Sequence, residues 1–310
     1  MTKVSLVTGG AGFIGSHLVE ALLARGDRVR VLDNLSTGHL ENLAGVQDKI
    51  ELIEGDIRDD PVVQAALAGV DQVFHLAALV SVPESMAKPV ETELINAVGT
   101  LNILQAAKAA GVRRVILSST CAVYGDEPTL PKTESSPSCP QSPYAISKLT
   151  AETYCRLFHD SFGLETVRLR YFNVFGPWQD PSSAYSGVIS IFVDKLSTGT
   201  VPAIFGDGEQ TRDFVFVEDV VQANLLAATV PQAPGHVFNI GSGRQVSINQ
   251  LFAALCDIFD QDAKPAYSPP RPGDILHSYA DPSLAHAVLG WSAHVSFEEG
   301  LRRLVDSTRS

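Results

Sequence analysis

Tyr144 and Lys148 stand four residues apart in Ser142-Pro143-Tyr144-Ala145-Ile146-Ser147-Lys148, downstream of a hydroxyl cluster, Ser118-Ser119-Thr120. Side chains at that spacing share one face of a helix. An ammonium beside a phenol favours the phenolate and lowers a pKa that starts near ~10. A tyrosine so lowered acts as general base on an alcohol, while a strand-end hydroxyl holds the same oxygen. Thr120, Tyr144 and Lys148 are therefore the candidate reacting groups, with Ser119 able to share the hydroxyl role. The plainer alternative is an interfacial tyrosine and a solvated lysine, so the surrounding elements must decide.

Those elements read clearly. Val115-Ile116-Leu117 is a strand that delivers the hydroxyl cluster, and Ser142 and Pro143 suit the cap and first turn of a helix over 143–162. At the other end, Val4-Ser5-Leu6-Val7 runs into Thr8-Gly9-Gly10-Ala11-Gly12-Phe13-Ile14-Gly15. Glycines at 9, 12 and 15, after a strand and before a helix, allow a tight turn and close approach of a pyrophosphate to a helix N-terminus. Arg28–Leu32 is a second strand ending at Asp33-Asn34, where an acid accepts the adenosine ribose hydroxyls and repels a 2′-phosphate. That favours NAD over NADP. Strands are also read over 50–57, with Asp56 and Ile57 at its end, and over 70–78, ending in Leu76-Ala77-Ala78. A helix follows over 90–110. His75, on an apolar strand, reads as a hydrogen-bonded core residue. Strands alternating with helices argue for an α/β fold with a doubly wound parallel sheet.

A chain of 310 residues can bury a large core in one domain or two. Its net charge of −12 argues against a nucleic-acid partner. Cys121, Cys139, Cys155 and Cys256 show neither metal spacing nor a secreted disulfide pattern, so no metal is expected. With no signal peptide and no apolar run of membrane-spanning length, a cytoplasmic protein is expected.

The glycine turn T-G-G-A-G-F-I-G, the D-N strand end, H-L-A-A, S-S-T-x-x-V-Y-G and Y-x-x-x-K occur in that order. In this the chain resembles the extended short-chain dehydrogenase/reductase family, in its nucleotide-sugar epimerase branch. The resemblance implies a Rossmann domain over 1–171 and a smaller α/β substrate domain over 172–310, with a segment about 214–240 returning to the first. It implies NAD bound by Gly9, Gly12, Phe13, Ile14, Gly15, Asp33, Asn34, Asp56, Ile57, Leu76, Ala77, Ala78, Asn96, Tyr144, Lys148 and Phe172. For a UDP-sugar it implies Ser81, Thr120, Tyr144, Asn173 and Val188, with Ala203, Ile204 and Phe205 against the uracil. Arg212 and Arg271 fall at diphosphate positions, where guanidinium groups make charge-assisted bonds, and Asp274 can accept a ribose hydroxyl. Without the resemblance, both arginines could equally be surface residues. Thymidine sugars are the main competitor to uridine sugars.

Related dehydratases and decarboxylases carry acids just after the threonine, where this chain has Cys121 and Ala122. What remains is reversible oxidation at sugar carbon 4, rotation of the 4-keto sugar and reduction from the opposite face. Ser278 falls at a gate where a bulky tyrosine restricts many relatives to unacetylated hexoses, and Gln179–Tyr185 resembles the N-acetylhexosamine epimerases. The implied reaction interconverts UDP-N-acetylglucosamine and UDP-N-acetylgalactosamine, with UDP-glucose and UDP-galactose as further substrates. A UDP-glucose or UDP-glucuronate 4-epimerase and a non-catalytic NAD-binding regulator are the alternatives. Helices 90–110 and 143–162 resemble those that pair across the family's homodimer, through Leu94, Val98, Leu101, Leu157 and Phe158 unless these face the domain's own core.

Overall fold

The computed structural model describes residues 2–179, 187–270 and 275–309. The first part of the chain alternates β1 (Val4–Thr8), α1 (Phe13–Ala24), β2 (Arg28–Asp33), β3 (Ile50–Glu54), α2 (Asp60–Leu67) and β4 (Gln72–His75). Three helices follow, α3 (Val82–Ala87), α4 (Pro89–Glu93) and α5 (Gly99–Ala109), then β5 (Arg114–Thr120), α6 (Pro143–Phe162) and β6 (Glu165–Tyr171). The second part holds β7 (Asn173–Phe175), α7 (Val188–Ser197), β8 (Ala203–Phe205), β9 (Thr211–Arg212), β10 (Phe214–Phe216), α8 (Val217–Thr229) and β11 (Val237–Ile240). It continues with β12 (Val246–Ser247), α9 (Ile248–Phe259), β13 (Ala266–Ser268), α10 (Ser283–Leu289) and α11 (Phe297–Thr308).

Seven strands form one sheet in the order β11-β6-β5-β4-β1-β2-β3, every pair parallel. The alternation of side chains explains why its strands are unbroken apolar runs. Leu6, Val73, Val115 and Leu117 enter the core on one face, while Val7, Phe74 and Ile116 enter the core on the other. Helices cover both faces, so neither set of alternate positions needs to be polar. The row changes direction between β1 and β4, and a crevice at the carboxyl ends of those strands is where such a sheet receives ligands.

Local chemistry sets several boundaries. Ser142 accepts from Ala145 N–H and Pro143 occupies the first turn of α6, while Gly163 ends it in the left-handed conformation (φ 72°). Buried Arg114 donates to the carbonyls of Ala227 (2.8 Å) and Val230 (2.9 Å), satisfying the C-terminus of α8 from the adjoining strand. The helix expected over 90–110 is not continuous: Leu94–Val98 forms a π-helical segment between α4 and α5. The strand expected through Ala78 stops at His75, because Leu76 and Ala77 turn across the end of β1 and donate to Thr8. The one expected over 50–57 likewise stops at Glu54.

Beyond β6 the short strands pair in three two-stranded sheets, β10-β7, β12-β9 and β13-β8. They surround a second core of Phe175, Phe192, Phe214, Phe216, Leu251, Phe252, Phe297 and Leu301 among others. Among the described residues, no helix is long and apolar enough to cross a membrane, and no group of three His, Cys, Asp or Glu side chains is placed to hold a metal ion.

Candidate active site

The turn after β1 is shaped by what a side chain would strike. A Cβ on Gly15 would lie 2.0 Å from the Gly9 carbonyl oxygen, and one on Gly9 (φ 72°) would lie 2.7 Å from Ala77 N. Gly12 caps α1 with no side-chain hydrogen bond, so the first-turn N–H groups, those of Phe13 and Ile14 among them, have no side-chain acceptor there. A glycine cradle leading to a helix start free of any side-chain cap fits a pyrophosphate. Asp33 sits at the end of β2, buried, its two oxygens accepting from the N–H groups of Ala11 and Leu35 at 2.9 Å each. Each oxygen keeps a lone pair for a ribose hydroxyl. Leu76 and Ala77 run beside Gly9, and Ala78 follows them.

The hydroxyl cluster lies at the end of β5, against the first turns of α6. Thr120 accepts the Ala122 N–H at 3.1 Å, which leaves its own proton available for donation. Burial pushes the Tyr144 phenol up to about 12, and the Thr120 hydroxyl acts against that shift. Burial pushes buried Lys148 down to about 8, opposed by the Glu152 carboxylate, and its Nζ donates to the Ser118 carbonyl at 2.7 Å. The ammonium of Lys148 donates to Ser118, and Thr120 is the neighbour that acts to lower the phenol. Ser119, the other candidate hydroxyl, donates to Glu152 Oε1 and is buried.

Residues 5–241 match the model of the NAD dependent epimerase/dehydratase family. The chain belongs to that family. The UDP-glucose 4-epimerase of Mycolicibacterium smegmatis is 41% identical over 315 residues, covering 99% of this chain and 98% of that one. A UDP-N-acetylglucosamine 4-epimerase from Methanobrevibacter ruminantium, solved in complex with UDP-N-acetylmuramic acid, is 42% identical with a TM-score of 0.95, covering 99% and 98% of the two chains. The UDP-glucose 4-epimerase of Thermus thermophilus, solved as a complex with NAD, is 38% identical with a TM-score of 0.90 and covers 99% of each chain. NAD is the cofactor of the epimerase/dehydratase family, and the glycine turn and Asp33 described above fit it.

The remaining expected residues each have identifiable local partners. Asn96 lies in the π-helical segment and is buried; it accepts from Leu79 N–H (2.7 Å) and donates to Leu79 O and Ser147 Oγ. Asn34 is exposed and donates to Asp56, whose carboxylate is held at about 2 by Arg58. The Ile57 side chain lies in the core, where a Cβ on Gly99 would strike it. Ser81 is buried and caps α3 through Glu84 N–H. Phe172 is buried with Val123, Tyr124 and Ala280, and Asn173 starts β7.

Cys121, Arg212 and Ser278 come together from three separate segments. Burial pushes the Cys121 thiol up to about 11, with the Arg212 charge and the Ser278 hydroxyl acting against it. Arg212 Nη1 donates to Thr211 O, and Ser278 N–H donates to the same carbonyl. Parallel bridges Thr211↔His277 and Lys132↔Ala280 hold the Ser278 segment on both sides. Ile204 is buried, Phe205 half-buried and Ala203 exposed on β8, and Val188 begins α7. Arg271, Asp274 and residues 180–186 lie outside the described residues.

His75 is a core residue. Its Nδ1 lies 2.7 Å from Thr8 Oγ1 and its Nε2 2.9 Å from Thr100 Oγ1, and burial pushes it down to about 3. Thr100 gives its proton to Asn96 O, so Nε2 carries the imidazole hydrogen and Nδ1 accepts from Thr8. Sequence reading passed over Glu152 and Arg170, which form a buried two-bond pair beneath Lys148. An acid four residues beyond Lys148 on one helix was the available signal.

Proposed function

We propose that this family member is a nucleotide-sugar 4-epimerase that interconverts UDP-N-acetylglucosamine and UDP-N-acetylgalactosamine. The observation that carries the reading is the residue after Thr120. Elimination or decarboxylation requires a further acid or base at the sugar, and half-buried Cys121 offers a thiol raised to about 11, neutral at physiological pH. Thr120 and Tyr144 alone suffice for reversible oxidation of one alcohol.

When bound, NAD supplies the hydride acceptor and donor, and its oxidised ring carries a positive charge that favours a nearby phenolate. Gly9, Gly12, Gly15, Asp33 and Lys148 hold the cofactor in this reading. Tyr144 takes the proton of the sugar 4-hydroxyl while Thr120 donates to that oxygen and orients it. After the 4-keto sugar has turned about its diphosphate, Tyr144 returns the proton to the new alcohol. Arg212 and Arg271 anchor the diphosphate throughout. The small Ser278 side chain supports room for a 2-acetamido group, as does the Methanobrevibacter ruminantium relative. UDP-glucose and UDP-galactose are the second reading, supported by the activities that the Mycolicibacterium smegmatis and Thermus thermophilus proteins are named for.

The experiment is incubation of the purified protein with UDP-N-acetylglucosamine, without added NAD, followed by proton NMR of the anomeric region. Appearance of UDP-N-acetylgalactosamine is expected. No conversion even with NAD supplied, together with conversion of UDP-glucose, would shift the assignment to the second reading.

The same proposal divides the work of the chain between residues 1–171, which hold the cofactor, and 172–310, which hold the sugar nucleotide, with α8 and β11 returning to the first part. It also includes a homodimer through α4, α5 and α6. Leu94 and Val98, in the π-helical segment between α4 and α5, and Leu157 on α6 are exposed, Leu101 on α5 is half-buried, and Phe158 on α6 is turned into the core. Light scattering that shows a monomer at micromolar concentration would reject the dimer.

A further inference from the structure

We propose that Glu152 is a positioning residue, whose buried carboxylate fixes the strand end carrying Thr120 against α6 and supplies the counter-charge for the Lys148 ammonium. The inference rests on the reading above that Thr120 and Tyr144 carry the reaction and that Lys148 holds the cofactor.

Glu152 lies one helical turn beyond Lys148 on α6, so the two share a face, and both are buried. Its oxygens accept three hydrogen bonds. Oε1 takes the Ser119 hydroxyl at 2.5 Å and Arg170 Nε at 2.9 Å; Oε2 takes Arg170 Nη2 at 2.7 Å. Ser119 immediately precedes Thr120, and Arg170 lies opposite Ser119 on β6. One side chain thus ties β5, β6 and α6 together beside the reacting hydroxyls. An ion pair buried this deeply is a poor stabiliser compared with apolar side chains of similar volume, so stability alone gives weak reason for it.

The surrounding charges make the case specific. Arg168 and Arg170 face Glu152 from β6 and Lys148 faces it from α6, so three buried cations meet this carboxylate. Cys155 on α6 and Tyr124 after β5 are both held neutral by burial, near 12. His75, which faces Lys148 from β4, is neutral as well. Glu152 is therefore the acid that acts against the desolvation of Lys148. Without it the lysine gives up its proton at lower pH, because opposite charge favours the charged form.

The test compares wild type, Glu152→Gln, Glu152→Asp and Ser119→Ala as holoenzymes, with kcat and KM followed across pH and a thermal melt for each. For Glu152→Gln the alkaline decline of kcat is expected about one pH unit lower, at unchanged KM. Glu152→Asp keeps the charge and is expected to keep the wild-type alkaline decline, with a lower kcat. Ser119→Ala is expected to lower kcat about fivefold or more, with no movement of the decline. An alkaline decline for Glu152→Gln superimposed on wild type overturns the proposal. If that variant does not fold, Ser119→Ala decides, and an unchanged kcat overturns it. Tyr144→Phe run alongside separates the two readings: turnover at the wild-type rate would end the assignment of the reacting groups, whereas an inactive Tyr144→Phe with an unmoved Glu152→Gln profile would end only this one.

Discussion

Replacing Thr120 by Val removes one hydroxyl at nearly constant volume, and the structure separates its two consequences. For the fold, Ala122 N–H loses the side-chain acceptor it holds at 3.1 Å. Loss of such a cap costs about 1 kcal/mol, small against a total stability of ~5–15 kcal/mol, so the variant stays folded. For the chemistry, the oxygen being deprotonated loses a donor, and hydrogen bonds to charged groups contribute ~1.5–3 kcal/mol. At about 1.4 kcal/mol per tenfold in rate, kcat falls by about 10–150-fold. The Tyr144 phenol also loses a neighbour that draws its pKa down, so the acid-side rise of kcat moves to higher pH. Initial rates at saturating UDP-N-acetylglucosamine, with bound NAD quantified in each preparation, measure this directly. Thr120→Ser keeps the hydroxyl and is expected to retain activity. A Thr120→Val enzyme with kcat within about twofold of wild type would refute the assignment of this hydroxyl.

Ser278→Tyr is expected to suppress turnover of UDP-N-acetylglucosamine while sparing UDP-glucose, as read from the two kcat/KM values; an equal effect on both would remove Ser278 as the gate. Gly15→Ala places a methyl 2.0 Å from Gly9 O and 2.8 Å from Gly10 Cα, both backbone, so loss of bound NAD and a lower melting temperature are expected. Full NAD occupancy in that variant would show that the turn can rearrange. His75 is held near 3 in the folded protein against 6.5 for the free side chain, so the unfolded chain binds the extra proton between those values. Stability is then fully present above about pH 6.5 and falls toward pH 3, by up to about 1.4 kcal/mol per pH unit for this one group. Denaturant unfolding of wild type and His75→Gln across that range checks it, and parallel pH profiles would contradict the buried neutral imidazole.

Much of the sheet was legible because burial on both faces makes its strands continuous apolar runs, as in Val115-Ile116-Leu117. Helix starts were legible where local chemistry sets them, as Ser142 and Pro143 do for α6. Features set by contacts distant in sequence were not. The end of β4 depends on Thr8 receiving Ala77, and the π-helical segment at Asn96 leaves no mark in the periodicity of 90–110. The Tyr144–Lys148 spacing gave the shared helix face, but the direction of the ammonium depends on the Ser118 carbonyl of another element. The nearness of Cys121 to Ser278 arises from bridges between segments far apart in the chain, which no local pattern records.

The last strand to join the sheet has a consequence for how the chain is made. Val237–Ile240 covers the hydrogen-bonding edge of Arg168–Tyr171, and Arg168 caps the carbonyls of Gly235 and His236 beside it. During synthesis six parallel strands are complete once residue 171 has emerged, yet their outer edge stays open until residue 240 follows. An apolar edge with unpaired N–H and C=O groups is a template for strands of other chains. A nascent or proteolysed product ending after β6 would therefore be drawn toward aggregation until β11 covers that edge.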